Sequence, residues 1–470
     1  MNSKKPNVLF LMTDQQRWDC LGCNGNEILK TPNLDSIAND GVNFTKSFTA
    51  AIACVPSRAC IMSGQYSHVN GVQTTSGGNW LKPETPTLPG VFSLNGYHSA
   101  GVGKMHFSPW TNLSGFDERV IIESKYMEED DEYRLYLKEK GAFHKRIGHH
   151  TQNFGKEYKS IPSTELHPDD HIDGYIGKKG VEKLAELLGK EKPFFLMLSF
   201  CGPHDPFDPP AEFAKLYSPG KMQMGPFRDG ELDILPPECL RMITCMGKEK
   251  LDLTKIPDAK KREIIAHYYA NITLIDEWVG KVINLLKESG EYDNTVIVFS
   301  SDHGEYLTDH NILFKGSFPC DSDCAVPFFV KPHNAAGKCP ARCDRLVDNT
   351  SIMPTLLDLA GLKVPESCQG KSLKSAILGK EPEQEEEDFI VTYSEAGPAW
   401  RLRTRTHAFV YRHEKSRSQL YRLDKDPHEL QNLIQFEPEK SAPLAARMRE
   451  MLLEWFAKNG TPKYYPEKSS

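Results

Sequence analysis

Three short runs of apolar residues are the clearest pattern along the chain. They cover 7–16 (NVLFLMTDQQ), 193–205 (PFFLMLSFCGPHD) and 295–305 (TVIVFSSDHGE), and each has the length and the β-branched or aromatic content of a buried strand. Apolar residues at helical spacing lie between these runs, over 173–190 and 260–288. The alternation predicts an α/β fold in which helices flank a mostly parallel central sheet.

Each of the three runs ends abruptly in polar residues. These residues are Asp14-Gln15, His204-Asp205 and Asp302-His303. Any one pair, taken alone, is explained by a capping aspartate or a turn histidine. Ligands of parallel sheets bind beyond the carboxyl ends of the strands, so the shared position of all three pairs predicts one common site there.

The last quarter of the chain has a different pattern. A charge run, GKEPEQEEED at 379–388, is followed by strand-like segments at 389–394, 407–412 and 419–423 and by an amphipathic helix near 441–457. We therefore expect a catalytic domain over 1–380, an acidic linker over 381–388, and a small subdomain over 389–470. The subdomain would combine antiparallel strands with one packed helix.

Composition narrows the classes of partner and the cellular compartment. The 470-residue chain has a net charge of -7, which gives no basic excess for nucleic acid or an anionic membrane surface and favours a small-molecule ligand. The first apolar run, Val8 to Met12, is too short for a signal peptide core or a membrane span. A cytoplasmic location is expected, with the twelve cysteines reduced.

Some cysteines are closely spaced, which raises the alternative of a zinc or iron-sulfur site. None of the pairs has the doubled CxxC spacing of a zinc ribbon, so separate thiols are the favoured interpretation. The pairs are Cys20/Cys23, Cys320/Cys324 and Cys339/Cys343.

The stretch ACVPSRAC, residues 53–60, holds a candidate nucleophile. A small-residue loop leads there into a predicted helix that begins near Pro56, a residue suited to a first helical turn. Cys54 would lie at the N-terminus of that helix, among free backbone amides that favour an anion. The alternative for a single thiol is an ordinary buried cysteine.

Residues 54–58, CVPSR, resemble the C-x-P-x-R signature of type I sulfatases. Further resemblances follow in the family's order and span nearly the whole chain, at 31–49 (TPNLDSIANDGVNFTKSFT), 96–107 (GYHSAGVGKMHF), 202–206 (GPHDP), 301–316 (SDHGEYLTDHNILFKG) and 419–433 (QLYRLDKDPHELQNL). The chain is identified as a member of this family. The resemblance implies an alkaline-phosphatase-like α/β fold and conversion of Cys54 to formylglycine by a formylglycine-generating enzyme.

The resemblance also implies a divalent metal site. Asp14, Asp302 and the modified Cys54 match ligand positions of the family, and Gln15 and His303 stand where many members carry Asp and Asn. The Asp-Gln/Asp-His combination is similar to that of choline-sulfatase-like members and of phosphonate monoester hydrolases. Calcium is the expected ion, and the neutral Gln and His leave manganese as the alternative.

Other matched positions surround the expected anion. Lys104 and His106 match the family's lysine and histidine near the formylglycine; the lysine would neutralise sulfate and the histidine would take a proton during sulfate release. Arg58 would hold the nucleophile, while His204 and Lys315 match the pair that contacts the ester oxygen. Gln73 and Asn79, just after the helix, are weaker candidates for substrate binding.

The expected activity is hydrolysis of a sulfate monoester through a formylglycine hydrate, whose second hydroxyl expels sulfate. One alternative is a phosphonate monoester or phosphodiester hydrolase, against which the Lys104/His106 pair argues. The other is a catalytically silent binding protein in which Cys54 stays unconverted. The sulfated alcohol and the oligomeric state, a homo-oligomer among the options, are left open.

Two further segments have two interpretations each. The segment 108–172 is the expected variable insertion beside the substrate, and its HPDDH at 167–171 is either a second metal site or, as favoured, a solvated helix start. Arg401, Arg403, Arg405 and His407 alternate along a possible strand. They would form either a site for an anionic sugar or, as favoured, a solvated face.

Overall fold

A computed structural model describes residues 5–123, 131–145, 164–245, 252–333, 340–380, 388–395, 398–413 and 417–460. Its centre is an eight-stranded sheet with the order β4-β3-β5-β1-β6-β7-β2-β8. Only β7 runs antiparallel to its neighbours among these strands, which confirms the predicted mostly parallel sheet. The strands are β1 (Asn7–Asp14), β2 (Val42–Phe48), β3 (His98–Gly103), β4 (Glu118–Ile121), β5 (Phe194–Pro203), β6 (Thr295–Ser301), β7 (Phe328–Lys331) and β8 (Arg342–Asp348).

The three predicted apolar runs form the middle of this sheet. They are β1, β5 and β6, which lie side by side and are buried along their whole length. Alternate residues of β1 enter two separate cores, with Leu9 and Leu11 on one face and Val8 and Phe10 on the other. A strand covered on both faces needs apolar side chains at every position, which explains the unbroken runs.

Helices cover both faces of the sheet. The two helical patterns read from the sequence are confirmed as α6 and α9, which pack on each other and on β5. The described α-helices are α1 (Pro32–Asn39), α2 (Cys54–Ser63), α3 (Ser67–Asn70), α4 (Leu88–Leu94), α5 (Glu132–Glu139), α6 (Ile172–Leu188), α7 (Ala211–Ala214), α8 (Pro237–Thr244), α9 (Asp258–Glu288), α10 (Asp321–Cys324), α11 (Ile352–Leu359), α12 (Lys374–Ile377), α13 (Leu433–Phe436) and α14 (Pro438–Asn459).

A second, four-stranded antiparallel sheet follows, with α14 packed on it. Its order is β12-β11-β10-β9, and its strands are β9 (Phe389–Ser394), β10 (Ala399–Thr404), β11 (His407–Arg412) and β12 (Gln419–Arg422). The three predicted strands and the predicted helix are thereby confirmed. β9 also pairs with the loop before α2, because Tyr393 N donates to Ala50 O at 2.9 Å and Ile52 N donates to Tyr393 O at 3.0 Å. The domain boundaries themselves stay a prediction, and the linker residues 381–387 lie outside the described residues.

The expected solvated basic face on β10 is wrong. Arg401 is fully buried, and its guanidinium donates to Asp321 Oδ1 at 2.5 Å and to Glu429 Oε1 at 2.9 Å. Arg403 is also buried and pairs with Asp321 at 3.0 Å. Arg405 is exposed. The alternation of basic and apolar residues gave no sign of this internal ion cluster, because the acidic partners, Asp321 and Glu429, come from distant parts of the chain.

The HPDDH segment forms helix starts, as favoured from the sequence, but the expected solvation is wrong for Asp170 and His171, which are buried. His171 Nδ1 accepts a hydrogen bond from Asp173 N and caps α6, and His167 caps the short 3-10 turn before it. Asp170 pairs with Lys140 at 2.6 Å. Much of the expected insertion, 124–130 and 146–163, lies outside the described residues. None of the described helices combines the length and apolarity needed to cross a membrane.

Candidate active site

The polar residues that follow the central strands meet at one edge of the sheet, as predicted. Asp14 ends β1, His204 follows β5, and Asp302 and His303 follow β6. Lys104 comes directly after β3, the strand on the other side of β5, and its backbone N donates to Ser199 O at 2.9 Å. Because these strands are parallel neighbours, their carboxyl ends deliver all of these side chains to the same place.

Cys54 reaches this place as the first residue of α2, two residues before the predicted helix start. Ser57, one turn on, donates through Oγ to Asp302 O at 2.6 Å and accepts from Asn349 Nδ2 at 2.8 Å. These bonds fasten the first turn of α2 to the ends of β6 and β8. Every residue of α2 is buried, so the N-terminus of the helix is fixed against the sheet edge.

Four of the predicted ligands converge. One ligand atom each of Asp14, Cys54, Asp302 and His303 lies within 4.8 Å of all the others, and all four side chains are buried. Gln15, in a left-handed conformation with φ 66°, donates its backbone N to Asp302 Oδ1 at 3.0 Å. This arrangement can hold a metal ion with two carboxylates and a ring nitrogen.

Two buried cations balance the carboxylates. Arg58 donates to Asp14 Oδ2 and to Asp302 Oδ2, both at 2.9 Å, and Lys104 Nζ lies 2.7 Å from Asp14 Oδ2. Burial alone would raise the pKa of Asp14, but Lys104 and the other nearby cations outweigh it and hold that pKa well below its ordinary value. Burial and the neighbouring Asp14 raise the pKa of Asp302.

The thiol of Cys54 lies among basic groups. Its Sγ is 3.0 Å from Lys315 Nζ, 3.2 Å from His303 Nε2 and 3.7 Å from Asp14 Oδ1. Burial and Asp14 raise the pKa of this thiol, yet Lys315, Lys104 and His303 together bring it well below the ordinary value. The position of residue 54 therefore favours a negatively charged group.

The histidines have defined roles in the hydrogen-bond network. His303 Nδ1 lies 2.9 Å from Gly304 O, so this nitrogen bears the hydrogen and Nε2 faces the ligand cluster. Burial alone would lower the pKa of His303, but Asp302 and Cys54 raise it to about 9. His204 Nδ1 lies 2.7 Å from Asp205 O and its Nε2 lies 3.9 Å from Asp14 Oδ1. Burial and Lys315 lower the pKa of His204.

Three predicted residues, His106, Gln73 and Asn79, lie outside the ligand cluster. His106, two residues after Lys104, is half-buried with φ 61°, and its Nδ1 has no hydrogen-bond partner among the described residues. Gln73 is half-buried and Asn79 is exposed. The part of the chain that the structure describes gives neither of them a contact with the ligand cluster, so their role in substrate binding stays a prediction.

Glu305, which the sequence did not single out, orients Gln15. It is fully buried and accepts a hydrogen bond from Gln15 Nε2, while Lys315 Nζ donates to Gln15 Oε1 at 2.7 Å. Its other oxygen accepts from the backbone N of Leu307 at 3.0 Å and from that of Phe314. Burial raises the pKa of Glu305 to about 8, opposed by these donors. The sequence signal that could have identified Glu305 is its position two residues after His303.

Asp323 and Glu395 are two further acidic residues near the site. Asp323 is buried on α10 and accepts from Gly316 N at 2.8 Å, next to Lys315. Glu395 follows β9 and accepts from Thr75 N at 2.9 Å. Burial raises the pKa of Glu395, and Cys54 adds to that shift. Only folding brings either residue to the site, so their positions along the chain gave no signal.

Family models match most of the chain. The sulfatase model matches residues 6–362, and the model of the N-sulphoglucosamine sulphohydrolase C-terminal region matches residues 309–458. The two matches together cover the central sheet, the ligand cluster and the small antiparallel sheet.

Individual proteins agree with these matches. An arylsulfatase of Clostridium perfringens is 33% identical over 468 residues, with 93% of this chain and 92% of the relative covered. An N-acetylglucosamine-6-O-sulfatase of Bacteroides thetaiotaomicron is 25% identical, with 92% and 83% covered. The crystal structure of a phosphonate monoester hydrolase of Agrobacterium radiobacter superposes with a TM-score of 0.81 at 22% identity, covering 97% of this chain and 96% of that one, and has the same alkaline-phosphatase-like fold. The family match over residues 6–362 and the identity to the arylsulfatase show that this chain belongs to the sulfatase family and is a sulfuric ester hydrolase.

Proposed function

We propose that the protein hydrolyses a small sulfate monoester through a formylglycine hydrate made from Cys54, with calcium in the ligand cluster. The observation that carries this proposal is the setting of residue 54. Its side chain lies within 3.7 Å of Lys315, His303 and Asp14, at a buried helix N-terminus fastened to the ends of the central strands. Conversion would require a formylglycine-generating enzyme as a partner during maturation.

The ligand cluster fits a hard divalent cation. The carboxylates of Asp14 and Asp302 are both buried; burial and then the negative charge of Asp14 raise the pKa of Asp302, and a divalent cation would relieve the repulsion between the two carboxylates. Together with Gln15 Oε1 and a hydroxyl of the modified residue 54 they offer oxygen donors, and His303 adds one nitrogen. When bound, the cation supplies positive charge beside the nucleophile and the sulfate. Oxygen donors outnumber nitrogen, which suits calcium, and the ring nitrogen of His303 keeps manganese as the alternative.

Hydration of the aldehyde would give residue 54 two hydroxyls. In the first step, one hydroxyl would lose its proton and its oxygen would bond to sulfur, while the bond from sulfur to the alcohol oxygen would break and the alcohol would leave with a proton. In the second step, the remaining hydroxyl would lose its proton, its oxygen would form the aldehyde C=O, and the bond from carbon to the sulfate oxygen would break. Water then hydrates the aldehyde again. Sulfate release therefore depends on the second hydroxyl.

Different side chains assist the binding of sulfate and the two steps of the reaction. Arg58 and Lys104 offset the negative charge of Asp14, so that a sulfate anion can approach. Lys315, whose pKa is raised by Cys54 and Asp14 despite burial, stays an ammonium that can donate to the leaving oxygen, with His204 beside it. His106 is assigned the proton of the second hydroxyl, and its Nδ1, which has no hydrogen-bond partner within the described part of the chain, supports this assignment.

The names of the relatives suggest two substrate classes, aryl sulfates and sulfated amino sugars. The phosphonate monoester hydrolase shares the fold at 22% identity, and Lys104 beside Asp14 favours sulfate over phosphonate for this chain. The cytoplasmic location and any homo-oligomer stay predictions.

Peptide mass spectrometry of residue 54 tests the proposal most directly. Protein from its host, or co-expressed with a converting enzyme, should show the mass loss of a thiol that has become an aldehyde and should turn over 4-nitrophenyl sulfate faster than an aryl phosphonate monoester. Cys54→Ala should be inactive, and Cys54→Ser should stop after one turnover with sulfate bound covalently, because serine lacks the second hydroxyl. An unconverted Cys54 under these conditions would favour a silent binding protein, and faster turnover of the phosphonate would favour the hydrolase alternative.

A further inference from the structure

A cavity of about 360 Å³ opens beside Lys315. Its size lies at the lower end of the range for small-molecule sites. The side chains that matter for its chemistry are Arg241 and Met242 from α8, Leu253, Leu313 and Phe314, and Lys315 itself.

Lys315 joins this cavity to the ligand cluster. Its Nζ lies 3.0 Å from Cys54 Sγ, and its side chain is 20% exposed, whereas the side chains of Asp14, Asp302 and His303 are 0% exposed. Lys315 therefore contacts the buried nucleophile and also lines the open cavity. A group bonded to sulfur through the oxygen that Lys315 contacts would extend into the cavity.

Met242 lies close to the backbone next to Lys315. A Cβ added at Gly316 would lie 3.9 Å from Met242 Cε and 3.9 Å from Ile52 O, two residues before Cys54. On α8, Cys239 and Ile243 point into the core, while Met242 is 41% exposed. The thioether of methionine adapts to flat apolar groups, so Met242 can offer an apolar contact to a ligand in the cavity.

The walls of the cavity are mainly apolar, with two cationic side chains, Lys315 and Arg241. Leu253, Leu313 and Phe314 line the cavity but are almost fully buried, so Met242 is the most exposed of these apolar side chains. Arg241 is exposed, and its guanidinium forms no hydrogen bond or ion pair with any residue that the structure describes. A sugar would lose the hydration of several hydroxyls here and find few partners, whereas an aromatic ring would lose little.

We propose that this cavity binds the alcohol part of the substrate, and that this alcohol is an aromatic one that carries a carboxylate. The ring would lie against Met242 and Phe314, and the carboxylate would pair with Arg241, away from the sulfate. The inference rests on the proposed function and adds the substrate class to it.

Three sulfate esters test the chemistry of the cavity on the converted enzyme. They are 4-sulfooxybenzoate, its neutral methyl ester, and N-acetylglucosamine 6-sulfate. We expect kcat/KM to be highest for the benzoate, and its KM to be about fivefold below that of the methyl ester, as a partly exposed ion pair allows. Arg241→Ala should remove this difference in KM between the acid and the ester. A higher kcat/KM for the sugar sulfate, or an acid-to-ester ratio that Arg241→Ala does not alter, would overturn the inference.

Met242→Glu tests the apolar wall separately. A carboxylate at this position should raise KM for the neutral methyl ester by about tenfold, with kcat nearly unchanged, because the wall contacts the ring and not the sulfur. Leu453→Glu is the matched control: it lies on α14 at 62% exposure, and the same substitution there should leave KM alone. Equal KM values for wild type and Met242→Glu would contradict the proposed wall.

The two levels of inference fail in different ways. If the enzyme carries formylglycine and hydrolyses none of the three esters, the proposed function fails. If it hydrolyses the sugar sulfate well and Met242→Glu has no effect on any ester, the function stands and the assignment of the cavity is wrong.

Discussion

At the scale of single residues, the orientation of one amide decides what the ligand cluster offers. A glutamine presents an oxygen at one end and an NH2 group at the other, and only the oxygen can bind a cation. Lys315, which can only donate, contacts the oxygen end of Gln15, and Glu305 accepts from the NH2 end. The two contacts agree, so the amide oxygen is the end turned toward residue 54.

Glu305→Gln should reverse this orientation. The backbone N–H groups of Leu307 and Phe314 fix an oxygen at one end of residue 305, so the new NH2 group would face Gln15. Gln15 would then turn its oxygen to residue 305 and its NH2 group to the metal site. We expect calcium affinity, measured by isothermal titration calorimetry, to fall by about 10-fold to 100-fold, as for other groups that orient metal ligands.

The midpoint of thermal unfolding of metal-free Glu305→Gln distinguishes a change in the orientation of Gln15 from a loss of folding stability. A midpoint close to that of metal-free wild type, together with weaker calcium binding, would support the role given to Glu305. Unchanged calcium affinity would mean that Gln15 does not contribute its oxygen to the ion.

At the scale of elements, the connection from β6 to α10 is the least regular part of the site and carries Lys315. Five non-glycine residues between 307 and 314 have positive φ, a conformation that side chains disfavour. Contacts with α10 hold the segment in place: Gly304 N donates to Asp323 O and Gly316 N donates to Asp323 Oδ2, both at 2.8 Å. Asp323 thus fixes both ends of the segment.

Asp323→Ala should loosen the segment. The buried Gly316 N would lose its acceptor, and we expect the free energy of unfolding in urea to fall by about 1–3 kcal/mol. kcat should fall as well, because Lys315 is the adjacent residue. Asp323→Asn is the matched control: burial raises the pKa of Asp323 to about 7, so a neutral side chain with the same acceptor oxygen should be tolerated. Equal losses in both variants would contradict the hydrogen bond as the cause.

The sequence predicted regular elements better than the contacts between distant segments. β1, β5 and β6 were predictable because burial on both faces demands unbroken apolar runs, and Asp14 and Asp302 followed from where those runs end. The antiparallel direction of β7 was not predictable, since the four residues Phe328–Lys331 carry no signal for the direction of the strand in the sheet. Arg401 was misassigned because a basic residue in an alternating strand indicates solvent unless its acidic partners are known.

At the scale of the whole molecule, buried charge joins the small sheet to the large one. Arg401 of β10 bridges Asp321 at the start of α10 and Glu429 after β12, and Asp321 N also donates to Glu429 Oε2 at 2.6 Å. α10 lies at the end of the segment that carries Lys315. The small sheet therefore braces the same segment that Asp323 holds from within.

Arg401→Met should destabilise the protein strongly. Removal of the guanidinium takes the cation away from the buried carboxylate of Glu429, while Asp321 keeps Arg403, and breaking a buried ion pair from one side costs about 3–5 kcal/mol. Arg405→Met is the matched control, since Arg405 is partly exposed beside Asp388 and Asp344 and should cost less than about 1 kcal/mol. Urea unfolding at pH 7 measures both variants.

The pH dependence of Arg401→Met identifies the cause of the loss. Burial opposes ionisation of Asp321, but Arg401 and Arg403 lower its pKa to about 2, below the value of 3.8 expected when unfolded. Between pH 2 and pH 3.8, the folded wild type therefore binds fewer protons than the unfolded chain. The stability that ionised Asp321 contributes through its arginine partners is present above pH 3.8 and is lost as the pH falls through 2. Without Arg401 this lowering is weaker, so the gap in stability between wild type and Arg401→Met should narrow as the pH is lowered from 5 toward 2. A gap that stays constant over this range would assign the loss to packing of the long side chain and not to charge.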